Sequence, residues 1–263
     1  MSAFWNSVQV PVGAVRGGLR FGEVSTHTSR TMMLSELREL LATVPSAARR
    51  EEYAAAIIED NVLGKQTAST RRITNQRLSE LYVLDPTVPL FRVLRRLWEL
   101  DEAGRPLLAL LCALGRDPLL RASAPAVLEL APGAELTRST LGLRLREVVG
   151  GRLNDSVLDK VARNVASSWT QSGHLSGRVR KIRRQMAPGP GPAAFAAWLG
   201  SLCGYAGRQL LTTPWAKVFD CSPAGLFEQL TRAGQMRLLR ARNGGGVMEI
   251  DTTGLDAAVA GGA

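Results

Sequence analysis

Histidine is almost missing from this chain of 263 residues, where His27 and His174 stand alone. Neither lies near a Cys or a carboxylate at the spacing of a zinc site, so metal-assisted chemistry has no local signature. Cysteine is nearly as scarce. Cys112, Cys203 and Cys221 are far apart, and an odd number of scattered thiols makes no disulfide framework, which fits a reducing, cytoplasmic compartment. Long apolar runs are lacking too. The longest, near 107–114 and 192–202, fall short of the roughly 20 residues a spanning helix needs, which excludes an integral membrane protein. The first thirty residues lack the layout of a signal peptide. No glycine pattern of a phosphate or dinucleotide loop follows a strand. Glycines 244–246 precede no helix and read as a hairpin turn, so no cofactor is expected.

Negative charge is also in short supply. Lys and Arg number 33 against 23 acids, a net charge of +10, and only Lys65, Lys160, Lys181 and Lys217 are lysines. An Arg-dominated surplus fits a polyanionic partner, because the guanidinium fork makes paired contacts to phosphate and guanine. Apolar residues at 45% suffice for a packed core, and the length allows about two compact units.

The apolar spacing is helical for most of the chain. Residues 1–28 read as an extended arm or short strand pieces docking on the body. A helical domain follows over 29–131. It has one helix ended by Pro45, a second begun by Ser46 with Tyr53, Ala56 and Ile57 inward, and a third begun by Thr67 or Ser69 with Ile73, Leu78, Leu81 and Tyr82 inward. Further helices are expected over 90–100, 105–114 and 118–130. A loop at Pro132 and Gly133 marks a boundary, and 134–254 form a second helical domain. There, helices are expected over 137–149, 156–171 (capped by Asn154 or Asp155), 193–211, 214–219 and 223–233. Residues 187–193 read as a stiff linker and 255–263 as a frayed tail. Two basic segments, at 178–184 and 235–252, each follow helices and read as hairpins, the second with Met236 and Leu238 on its first arm. Helix, helix, basic hairpin is the order of a winged helix. The fold class expected is therefore mainly α and two-lobed, with helix-turn-helix or winged-helix-like units and small β-hairpins.

Two basic clusters are candidates for nucleic-acid contact. Lys65, Thr67, Ser69, Arg71, Arg72, Gln76 and Arg77 fall at the start of a helix, where hydroxyls and free N–H groups suit phosphate and Gln76 suits a base edge. The bland alternative is a helical hairpin with a basic outer face. The second cluster lies in a stretch with no acid between Asp159 and Asp220 and a local charge of +9. Five of its cations, Arg178, Arg180, Lys181, Arg183 and Arg184, fall in seven residues, and a strand would divide them between two faces. Its bland alternative is a solvated loop against an acidic partner protein. Arg237, Arg240 and Arg242 form a weaker third group, offset by Glu249 and Asp251.

The segments "RTMMLSELRELLATVPS", "EYAAAIIEDN" and "NVLGKQTASTRRITNQRLSELY", with the later "VARNVASSWTQSGHLSG" and "LLTTPWAKVFDCSPAGLFEQLTRAGQMRL", resemble the BrxA family of small proteins from BREX phage-defence operons. The resemblance spans about residues 29–252 and rests on helix caps and core positions, with no catalytic signature. It implies a two-lobed helical protein, one part similar to the helical bundle of a transcription antitermination factor. It also implies double-stranded DNA binding without catalysis, in company with other BREX subunits and no membrane. The alternative function is a scaffold whose basic faces dock those subunits.

Overall fold

Short, well-punctuated helices account for most of the chain, as the computed structural model shows for residues 11–244 and 247–256. The N-terminal segment docks on the body from residue 11 onward, but with a short helix and a 3-10 turn in place of the expected extended chain. Helix α1 (Val12–Arg16) is followed by Gly18, whose φ of 106° brings the backbone against Val88 and Leu90. Leu19 is buried, and a 3-10 turn at Thr26–Thr28 buries Thr26 and His27. Residues 1–10 lie outside the described residues.

Helix α2 (Leu34–Thr43) starts later than its apolar pattern, because Met33 takes a left-handed conformation while Met32 and Met33 stay buried. Helix α3 (Arg50–Ile58) starts after Arg49, not at Ser46. Its first turn is closed by Glu52 Oε2, which accepts the Arg49 N–H at 2.8 Å. Asn61 and Gly64 then turn the chain at positive φ, and the Thr67 hydroxyl caps α4 (Ala68–Tyr82) by accepting from Thr70 N. Thr74, Leu78, Leu81 and Tyr82 face inward. Ile73, expected inward, is 41% exposed because it sits one residue, about 100°, off that stripe.

Helices α5 (Pro89–Leu100), α6 (Arg105–Arg116) and α7 (Pro118–Leu128) each carry Pro in the first turn, where its missing N–H costs nothing. Helix α6 is buried nearly all round and is the axis of the fold. The chain continues through strand β1 (Glu135–Leu136), α8 (Arg138–Val149), α9 (Asp155–Gln171), β2 (Leu175–Ser176) and β3 (Lys181–Arg183). These strands form one antiparallel sheet in the order β1-β3-β2.

The expected linker at 187–193 is largely helix. Pro190 and Pro192 occupy the first turn of α10 (Pro190–Leu202), which is buried over most of its length. That helix stops well before residue 211, since Gly204 takes a φ of 86° and a 3-10 segment, Gly207–Leu211, follows. A 3-10 turn at Ala216–Val218 leads to α11 (Pro223–Gln235), capped by Ser222. The terminal hairpin is β4 (Arg240–Gly244) with β5 (Val247–Asp251). Its turn residues 245–246 lie outside the described residues. Met236 and Leu238, expected on its first arm, precede it at a bend where Arg237 has a φ of 59°. Leu255, expected in a frayed tail, is buried in a final turn, α12 (Thr253–Asp256), tied down by Asp256 on Arg92 at 2.6 Å. Residues 257–263 are outside the described residues.

Buried side chains from Ala14 to Leu255 join one hydrophobic cluster, in which α10 packs on α5, α6 and α11. The turn at 131–134, expected as a domain boundary, thus has the same core on both sides. Asp101 helps to fasten α10. Its carboxylate accepts from Gly104 N and from Gly191 N in the first turn of α10, at 2.8 and 3.1 Å. A Cβ on Gly104 or Gly191 would lie within 2.8 Å of it, so these glycines make room for the cap.

Candidate nucleic-acid interface

The order α7, β1, α8, α9, β2, turn, β3 with sheet order β1-β3-β2 is the complete topology of a winged helix over residues 118–183. In winged helices the helix at the position of α9 is the one offered to a major groove, and residues 177–180 take the place of the wing. Sequence reasoning found the hairpin but not β1, because two residues leave no readable alternation.

Local chemistry sets these pieces. Val149 and Gly150 end α8, with Gly150 at a φ of 56°, and Asn154 Oδ1 accepts Val157 N to start α9. Leu158, Val161, Ala162, Val165 and Trp169 bury one face of α9, and Trp169 Nε1 donates to Ser123 Oγ on α7 at 2.8 Å. The opposite face exposes Ser156, Lys160 and Arg163. A groove of about 520 Å³ runs between the start of α8, α9 and the wing. Arg138, Arg163, Arg178 and Lys181 line it, with Thr137 and Ser167 as hydroxyls and Leu136, Leu141 and Ala162 beneath. Asp159 lies between Arg138 and Arg163, at 3.5 and 3.4 Å, so one carboxylate is shared by two guanidinium groups. The Thr137 hydroxyl caps α8 by accepting from Thr140 N, so the capped first turn of that helix, at Thr137 and Arg138, borders the groove.

The wing is braced. Lys181 Nζ donates to Gly177 O at 2.8 Å and to Thr170 Oγ1 at 3.1 Å, and its partial burial lowers its pKa. Arg180 Nε and Nη2 both donate to Glu135 Oε2 on β1, which raises the Arg180 pKa, in full contact with solvent. Arg178 and Arg184 are exposed.

Arg183 is a correction. Its guanidinium is wholly buried, with Nη2 on both Asp220 oxygens at 2.7 and 2.9 Å, Nε on Val127 O at 3.0 Å and Nη1 on Arg184 O. A phosphate cannot reach it. The register that pairs Leu175 with Arg183 turns this side chain into the core, where it joins the winged unit to the segment before α11.

The first cluster is differently placed. Lys65 Nζ is held by Glu36 Oε1 at 3.1 Å, and Arg71 Nη1 reaches Glu59 O at 3.4 Å. Arg77 and Gln76 both donate to Glu80, at 2.8 and 3.0 Å, and Thr26 Oγ1 adds a third bond. Burial alone would raise the Glu36 and Glu80 pKa values. The donors facing them, Lys65 and Ser35 for Glu36, and Arg77, Thr26 and Gln76 for Glu80, bring both below the usual range. Thr67 and Gln76 are exposed but occupied, as a cap and on Glu80, and Ser69 and Arg72 are the other exposed members. Among the described residues, no hydrogen bond or ion pair joins this cluster to the wing. In the terminal hairpin, Arg240 pairs across from Asp251 and Arg242 across from Glu249, so each cation faces an acid.

Three further groups have chemistry but are wholly or partly withdrawn from solvent. His27 Nδ1 lies 3.0 Å from Asp117 Oδ2, and its Nε2 lies 2.9 Å from Ser168 Oγ, the order of a nucleophile, base and acid. All three are 0% exposed, and Ser168 Oγ also accepts from Met32 N at 2.8 Å. They sew the docked N-terminal segment to α9. Burial would raise the Asp117 pKa, but His27, Leu120 N and Ser25 Oγ hold it well below the usual range. Burial pushes the Cys112 thiol up to about 12 and raises Cys203 and Cys221, which keeps them from the nucleophilic thiolate form. His174 packs edge-on against Trp169 and directs Nε2 at Val218 O, at 2.9 Å, so that nitrogen carries the proton. Among the described residues no cluster of three metal-ligating side chains occurs, and no helix is long and apolar enough to cross a membrane.

Sequence reasoning missed Arg138, Arg163, Thr137 and Ser167 as groove residues. The signal was present in Thr137 and Asn154, two cap residues framing a helix pair directly before the basic hairpin. In comparison with known proteins, no family model and no curated protein matches this chain.

Proposed function

We propose that this chain is a non-catalytic double-stranded DNA-binding protein that uses residues 118–184 as a winged helix. The observation that carries the reading is the basic groove between α9 and the wing, on the side where a winged helix meets DNA. Residues 118–184 hold 12 basic and 5 acidic residues, a net charge of +7. Helix α9 enters the major groove with Ser156, Lys160 and Arg163 foremost. The start of α8 and the wing cations Arg178, Arg180 and Lys181 take the flanking phosphates. Arg184 adds to the field beside the wing.

Most of this affinity is electrostatic. Four to six phosphate contacts release about as many counterions, giving a log–log salt slope of roughly −4 to −5 with little sequence preference. The resemblance to the BrxA family extends the proposal to an accessory role in a BREX-type phage-defence system, alongside its other subunits. The test is fluorescence anisotropy with a random 30-bp duplex at several salt concentrations. Micromolar or tighter binding with that slope supports the reading. No binding at low salt overturns it, and the basic faces then belong to protein partners.

A further inference from the structure

We propose that Val179 is an apolar wedge that enters the DNA minor groove beside α9 and unstacks a flexible base step. The inference rests on the winged-helix reading and adds a mode of DNA selection to it.

The wing is four residues long and unusually well fixed. Gly177 takes a φ of 93°, and a Cβ there would lie 2.1 Å from Arg180 O, so the turn closes only on glycine. Lys181 clamps it from below through Gly177 O, and Arg180 is drawn to Glu135 on β1. At the apex of this braced turn stands Val179, 89% exposed, the most exposed large apolar side chain among the described residues. Turn apices are ordinarily Gly, Asn, Asp or Ser, whose polar side chains cost nothing in water. A solvated turn needs neither the braces nor the valine.

Charge selects DNA over a protein pocket as the occupant. Val179 sits between Arg178 and Arg180, and no acid occurs between Asp159 and Asp220. On a duplex, the neighbour of the major groove is a phosphate backbone and then the minor groove, so a hairpin beside α9 overhangs that groove. Arg side chains are drawn to a narrow minor groove, and apolar side chains wedged between base steps kink the helix. Pyrimidine–purine steps unstack most easily. A β-branched side chain is stiff about χ1, so little freedom is lost on insertion.

The experiment uses the full chain and two 30-bp duplexes with a dye pair at their ends. One is made of alternating T and A. The other is a homopurine·homopyrimidine duplex, which has no pyrimidine–purine step. The wild type is expected to raise energy transfer on the first duplex and to bind it about tenfold more tightly than the second. Val179→Ala and Val179→Asn should abolish both effects yet keep affinity for the second duplex within about threefold, since the phosphate contacts remain. Val179→Leu should preserve both. Circular dichroism checks that the variants fold as the wild type does. Binding by the wild type without a change in energy transfer overturns the wedge and leaves the winged-helix reading standing. Ala and Asn variants that behave as wild type do the same. Failure of the wild type to bind either duplex at low salt overturns both.

Discussion

The α3–α4 unit and the winged unit look alike in sequence and differ in what their charges do. Each is a helix pair with one hydroxyl cap and several cations. In the first, Glu36 from α2 and Glu80 further along α4 itself absorb Lys65, Arg77 and Gln76. In the second, Glu135 holds Arg180, Asp159 is divided between two arginines, and Lys160 and Arg178 have no acidic partner among the described residues. A local count of basic residues therefore overstates a surface whose neutralising acids lie outside the counted segment, whether on the next turn or far along the chain.

The largest test contrasts two arginines of one hairpin. Arg183→Ala leaves Asp220 with a lost partner at a buried ion pair, a change that costs about 3–5 kcal/mol. On a chain of this size that lowers the melting temperature on the order of 10 °C. Arg178→Ala, fully in solvent, should leave it unchanged. Equal melting temperatures for the two variants would mean that Arg183 is not the buried fastener described.

A second test concerns two buried titratable groups, His174 and Asp117. Burial lowers the His174 pKa to about 4, and nearby Arg183 adds to this while the Val218 carbonyl and Asp220 oppose it. The unfolded chain, with a value near 6.5, therefore binds the proton more tightly. Stability falls as pH drops from about 6.5 to about 4 and the contribution levels off below, a loss of ~3 kcal/mol. His174→Gln should flatten that limb of a pH series of urea melts. Asp117 behaves differently: its depressed pKa contributes stability that is complete above about pH 4 and is lost only as pH falls further. A wild-type curve flat from pH 6.5 to 4 would break the distinction.

The third test addresses DNA directly. Lys160→Ala, Arg163→Ala and Arg178→Ala together should weaken binding ~10- to 100-fold and flatten the salt slope by about 3. Lys65→Ala with Arg72→Ala should change affinity by less than about threefold. Glu36→Gln with Glu80→Gln sharpens the contrast. If removing those acids leaves binding unchanged, α4 faces away from DNA; if affinity rises, its cations lie near the duplex and the comparison fails.

Helix periodicity and caps carried most of the fold into view from sequence. Thr67, Asn154 and Ser222 cap where their chemistry says, and the strand at Lys181–Arg183 lies within the segment read as extended. What stayed hidden depended on distant partners. Nothing local shows that Arg183 meets Asp220, that Pro190 opens a helix rather than stiffening a linker, or that residues 11–28 dock through His27 on Ser168. The two-residue β1, which completes the winged topology, is too short for any pattern. The candidate groove was half legible: its wing cations stood out by density, whereas Arg138 and Arg163 are ordinary helix residues until α8 and α9 bring them opposite the wing.

The smallest effect separates two caps of identical chemistry. Thr67 and Thr137 each accept from an N–H three residues on, at 3.1 Å, and replacing either by Ala should cost about 1 kcal/mol. Their effects on DNA should differ. The start of α8 lines the groove, so fraying it in Thr137→Ala moves Arg138 and loosens the N–H groups presented to a phosphate, a loss of about two- to fivefold in affinity. Thr67→Ala frays α4 away from the groove and should leave affinity as it was. Because the two variants are matched in stability, anisotropy titrations at one salt concentration isolate position from folding. The opposite result, with Thr67→Ala weakening binding and Thr137→Ala silent, would transfer the DNA-binding face to the α3–α4 unit.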